Sequence, residues 1–231
     1  MNRFINRLFS EVFRGAALII AIGWMSIPVC KAQQPEDKEA AYRKAIEDRS
    51  GKIVVALGLT DSSTFYKVRQ AVAQQYIDLR DLDAGRERVV RSIREANSDK
   101  EQAQKNIAEA DTKTEAARTG LHNNYIQKLS GLLVKDQVDV IKNGMTYNVL
   151  PITYKGYLEM IPRLTTEERQ FIMDALLEAR EHAMDAGSSE KKHAWFGKYK
   201  GRINNYLSAR GYDMNKESKA WQERIKANQK Q

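Results

Sequence analysis

The 231-residue sequence predicts an all-α fold: a helical bundle with a long helical hairpin and one short extended segment near residues 145–151. Three observations carry that expectation. Apolar residues recur at steps of three and four through most of the chain after residue 34, the pattern of helices buried along one face. The four prolines stand at 28, 35, 151 and 162, so nothing between 36 and 150 breaks a helix by lacking a donor. Glycines and short polar side chains fall where such helices need ends, as in Thr60-Asp61-Ser62-Ser63, Thr165-Thr166 and Gly187-Ser188-Ser189.

The N-terminus reads as an address rather than as structure. Arg3, Arg7 and Arg14 precede an uncharged run from Gly15 to Val29, broken by Pro28 and followed by Cys30-Lys31-Ala32. This order of basic, apolar and small residues is that of a secretory signal peptide over residues 1–32. The run is shorter than the ~20 residues a membrane span needs. A lipid on Cys30 is the alternative, and Val29 before it fits that pattern poorly. The expected remainder, residues 33–231, is one helical domain in a periplasmic or secreted setting. Its parts are a long-helix region (33–130), a motif-rich region (131–213) and a polar tail (214–231).

Loss of residues 1–32 would remove Cys30, the single cysteine, so an ordinary hydrophobic core must hold the domain without a disulfide. It would also lower the formal charge from +8 to +5, since Arg3, Arg7, Arg14 and Lys31 leave together with Glu11. An exported chain of that charge has no routine access to nucleic acid; its excess suits acidic glycans, anionic envelope surfaces or nothing more specific than solubility, the plainest reading.

The first helix is expected from Glu36 or Asp37, resuming as Ile53–Leu57 after Gly51. The second runs through Phe65, Val68, Val72, Tyr76 and Leu79. From Leu82 the seam Val89, Ile93, Ala96, Lys100, Ala103, Ile107, Ala110, Thr114, Ala117 and Leu121 alternates steps of four and three. Asn97-Ser98-Asp99-Lys100-Glu101 resembles a capping box, so two long helices are expected rather than one rod. A dimerising coiled coil and an alanine-rich hairpin packed on its own domain both fit the seam. Alanines bury little area each, which favours the hairpin. A short helix over 135–142 should stop at Asn143-Gly144. Met145–Pro151 is expected to be extended, because it is β-rich and proline disfavours helix in the residue before it. Helices at 154–160, from Thr165, and from Glu190 to about Ala209 complete the body. The tail has only Trp221 and Ile225 as large apolar residues.

Functional side chains concentrate in Arg180–Tyr206. His182 and His193 flank a turn, with Glu178, Glu181 and Asp185 as nearby carboxylates. A metal centre needs three or four convergent ligands, and His182 with Asp185 makes only half of one, so no metal or other cofactor is expected. An acid–base pair needs two carboxylates opposed across a cleft, whereas Glu178 and Glu181 share a helix and should form ion pairs. No catalytic residue is therefore assigned, and hydrogen bonding around the turn is the expected role of His182 and His193. Trp195, Tyr199, Arg202 and Tyr206 form one helical stripe beside a core stripe of Phe196, Ile203 and Leu207. With Asn204 and Asn205 they suit stacking on a sugar ring and bonding its hydroxyls; as core residues they would close the bundle instead. Gly197 and Gly201 on the same helix suggest close backbone packing. The candidate ligand-binding set is Met145, Tyr147, Tyr154, Arg180, His182, Asp185, His193, Trp195, Tyr199, Arg202, Asn204 and Asn205.

Several strings carry a resemblance: Lys142–Tyr147, Thr153–Tyr157, Ala179–Ser189, Lys192–Leu207 and Gly211-Tyr212-Asp213. In these the chain resembles a family of exported proteins built on a domain of unknown function, typical of polysaccharide-degrading Bacteroidetes and described as sugar-binding. The likeness extends over most of residues 33–231. It implies an exported helical domain associated with glycans, and it implies no catalytic residues. Leu164-Thr165-Thr166-Glu167-Glu168-Arg169 and Leu133-Val134-Lys135-Asp136-Gln137 also resemble helix starts of small periplasmic chaperones of the Spy type. Arg169 and Val134 depart from that pattern, which leaves an envelope chaperone as the second reading and a glycan hydrolase as the third.

Overall fold

The computed structural model describes residues 35–229, so the expected signal peptide lies outside the described residues. The described residues form eight helices and no strand. In chain order these are α1 (Pro35–Val55), α2 (Ser62–Ala96), α3 (Lys100–Ser130), α4 (Lys135–Met145), α5 (Val149–Met160), α6 (Thr166–Met184), α7 (Ser189–Ala209) and α8 (Met214–Asn228). None of them is long and apolar enough to cross a membrane.

Most helix starts follow from side chains that accept orphan amides. Asp61 accepts from the amides of Ser63 and Thr64, and Asp99 from those of Glu101 and Gln102. Thr165 and Glu168 form a reciprocal capping box. The break between α2 and α3 is where the polar cluster places it, but Asp99 is the cap, and Asn97 closes α2 by donating to the Ile93 carbonyl. Two ion pairs, Arg86 with Asp111 and Arg118 with Asp83, fix α2 and α3 as an antiparallel hairpin. The heptad seam is only partly followed. Ala103 and Ile107 are buried, but Val90 is the buried neighbour and Val89 is 48% exposed.

Three local expectations need correction. α1 continues through Gly51 without a break. Residues 145–151 are not extended: α4 runs to Met145, Tyr147 (φ 57°) and Asn148 (φ 56°) turn the chain in the left-handed region, and α5 starts at Val149. Pro151 sits in the first turn of α5, where its missing donor costs nothing, and burial of Met145 and Leu150 on either side pulls the turn tight. Gly144 is helical and does not supply the stop. A Cβ there would come within 2.8 Å of Ile53 Cγ2, so this glycine lets α4 approach α1. By contrast, a Cβ at Gly197 or Gly201 would meet nothing within 4 Å, and both lie on an open face of α7.

Beside a smaller cluster of Ile46, Ala73 and Ile77 between α1 and α2, two large apolar clusters form the core. One joins Val54, Val68, Val72, Tyr125, Leu129, Ile141 and Met184 across α1–α4 and the end of α6. The other joins Tyr157, Ile161, Ile172, Leu176, Phe196, Ile203 and Leu207 across α5–α7. Helix α6 belongs to both, so its C-terminal end is placed rigidly between the hairpin and α7. That is where a cleft opens.

Candidate functional site

The cleft has a volume of about 660 Å³. Helices α2 and α3 give one wall through Asp83, Arg86, Glu87, Glu115, Arg118, Thr119 and His122. The end of α6 and the start of α7 give the other, through Glu181, His182, Asp185, Lys191, Trp195 and Lys198.

The floor is a hydrogen-bonded group around Asp185, a buried residue at the C-cap of α6. His122 donates from Nδ1 to Asp185 Oδ2 at 2.7 Å, and its Nε2 lies 3.6 Å from Glu181 Oε2. Arg118 donates to the Asp185 carbonyl at 3.0 Å and forms an ion pair with Asp83. Glu181 accepts from Lys142 at 2.7 Å. The hydrogen bond to Asp185 raises the His122 pKa above its ordinary value; burial opposes this, and the charges of Asp185 and Glu181 add to it. Beneath the floor, Lys192 is 4% exposed and donates from Nζ to the carbonyls of Ala183 (3.1 Å) and Met184 (2.9 Å). It caps the last turn of α6, and burial lowers its pKa to about 8.

The aromatic wall is a stack. The His182 ring lies 4.4 Å from the indole of Trp195, with planes 15° apart, and Lys198 Nζ is 5.0 Å from the same ring. His193 likewise stacks on Tyr147, centroids 5.7 Å apart, but away from the cleft. Stacking, rather than hydrogen bonding around the turn, is therefore the observed role of both histidines.

Of the twelve candidate residues, the structure brings His182, Asp185 and Trp195 together in the cleft. Arg180 is buried just behind it, donating to Asn143 and Asp139. Tyr199 is buried and donates to Glu178 at 2.7 Å; burial, then this bond, raises its pKa to about 12. Arg202 pairs with the same Glu178 at 2.9 Å and lies outside the cleft. Asn204 accepts from the Tyr157 hydroxyl at 2.7 Å, Asn205 is exposed, and Tyr206 stacks on Phe171. Met145 is 1% exposed in the core, where its sulfur accepts from the Tyr125 hydroxyl. Tyr154 is half-buried against the second cluster, and Tyr147 stands on the turn. The stripe Trp195–Tyr206 thus divides: its first residue faces the cleft and the rest brace α6 against α7.

His122, Arg118 and Asp83 escaped the sequence reading. A signal existed: Arg118 and His122 are four apart, on the side of α3 that leads into buried Tyr125 and Leu129. Among the described residues no three His, Cys, Asp or Glu side chains converge as metal ligands.

Fold and cleft define an all-α domain with a polar–aromatic cleft walled by a helical hairpin and a helix pair. The chain belongs to the DUF3826 family of proteins of unknown function, whose model matches residues 43–227. No curated protein matches it.

Proposed function

We propose that this chain is an exported saccharide-binding protein, periplasmic or secreted and associated with polysaccharide use, whose ligand occupies the cleft between the α2–α3 hairpin and α6–α7. The observation that carries the reading is the Trp195–His182 stack, set in a cleft lined by charged side chains from both walls. A concave site with an aromatic surface and a few fixed polar groups suits a ring that has an apolar face and a hydroxyl edge. The floor favours binding over hydrolysis. His122 engages Asp185, Glu181 accepts from Lys142, and Nε2 of His122 sits 3.6 Å from Glu181. Glycoside hydrolysis needs two carboxyls roughly 5–9.5 Å apart with the sugar between them, and these two are instead joined to cations. The chaperone reading has less support, because the exposed apolar residues Val55, Tyr66, Val134, Ile152 and Ile225 are distributed over different helices and a loop.

Calorimetric titration against a panel of oligosaccharides tests the reading. Wild type should bind at least one member, and Trp195→Ala should weaken that binding by about tenfold or more, as for an aromatic anchor. Binding by no member, or undiminished binding by Trp195→Ala, would refute it.

A further inference from the structure

The charges lining the cleft are not evenly compensated. On the α6 side both carboxylates are taken: Asp185 by His122 and Glu181 by Lys142, each at 2.7 Å. On the α7 side, Lys191, Trp195 and Lys198 fall at i, i+4 and i+7 and line the cleft as one stripe. Among the described residues neither lysine has a carboxylate within ion-pair distance, and both are exposed. Lys198 is instead held over the indole. Across the gap the imbalance has the opposite sign. Glu87 has no cationic partner among the described residues, and Glu115 shares Arg118 with Asp83. The cleft is polarised, with positive charge beside the aromatic wall and negative charge on the hairpin.

From this polarity we propose, building on the saccharide reading above, that the ligand is an acidic saccharide: its anionic group, a carboxylate or a sulfate, is held by Lys191 and Lys198 while its ring faces Trp195. An anion on that side meets two ammonium groups that no protein carboxylate has neutralised, in a concavity that concentrates their field. The opposite wall repels a second anion and accepts hydroxyl donors at Glu87 and Glu115. The matching ligand is therefore acidic along one edge and neutral along the other.

The test is one array carrying uronate-bearing, sulfated and neutral oligosaccharides of matched length, probed at low and high salt with the full chain and with a Lys191→Ala/Lys198→Ala variant. An acidic set should bind about tenfold or more tighter than the neutral set. That preference should shrink at high salt and vanish in the double variant. Preference for the uronate set assigns a carboxylate, and preference for the sulfated set assigns a sulfate. Equal or tighter binding of the neutral set, or a preference that survives both substitutions, overturns the acidic ligand and leaves the saccharide reading standing. Binding by none of the three sets ends both.

Discussion

Replacing Lys192 by Met tests how the end of α6 is held. In the native protein the Lys192 ammonium is buried beneath the cleft and donates to the carbonyls of Ala183 and Met184. Burial brings its pKa down from 10.5 to about 8. A lysine whose folded pKa lies below its unfolded value binds fewer protons folded than unfolded between those two values. Its contribution to stability therefore rises with pH across that window. With one pKa unit worth about 1.4 kcal/mol, that contribution grows by roughly 2 kcal/mol from pH 7 to 9.5. Lys192→Met leaves two carbonyls without their donor, a loss of about 1–3 kcal/mol at every pH, and removes the titration. Urea melts of both proteins from pH 7 to 9.5 give two stability curves, and the wild-type curve should climb relative to the variant. Titrating tyrosines affect both proteins alike and cancel in the difference. Parallel curves would show that burial does not depress this lysine and would refute the argument.

Three further perturbations follow from named contacts. Because His122 has a raised pKa in the fold, its contribution to stability is fully present below the unfolded value and is lost as pH rises through the folded one; an NMR titration of its ring should give a midpoint above 6.5 that Asp185→Asn lowers. Ser50 is fully buried and its hydroxyl has no partner among the described residues, so Ser50→Ala should raise stability by about 1 kcal/mol in thermal denaturation; a loss would reveal a bond the hydroxyl makes. Gly197→Ala and Gly201→Ala point into open space and should each add about 0.5–1 kcal/mol, whereas Gly144→Ala meets Ile53 and should lower the melting temperature.

Legibility in the sequence tracked how local each cause was. The all-α class, the α2–α3 break and the Thr165–Glu168 start were legible because each rests on side chains within four residues of the feature they set. The turn after α4 was not. Tyr147 and Asn148 adopt the left-handed region because Met145 and Leu150 are both drawn into the core, a tertiary demand that outweighs the local preference of Met145–Pro151 for extension. The site divided in the same way. Trp195 and His182 stood out as chemistry near one turn, but the groups that complete the cleft come from α2 and α3. His122 and Lys142 reach Asp185 and Glu181 only after the chain has folded over some forty residues or more. Arg202 looked free because its partner, Glu178, faces it from another helix.

The hairpin itself has a mechanical consequence. Near the start of α1, Glu39 pairs with Arg80, and between Arg86 and Asp111 the described residues of α2 and α3 bury only Val90, Ala103 and Ile107. With so little apolar anchorage, this outer arm is the segment whose amides should exchange with deuterium well before those of the core, opening as a unit without global unfolding. Its inner end carries Asp83, Arg86 and Glu87, one wall of the cleft. A ligand bridging that wall to α7 couples the arm to the rigid end of α6, so slowed exchange along the arm is a signal of occupancy readable at a distance from the ligand.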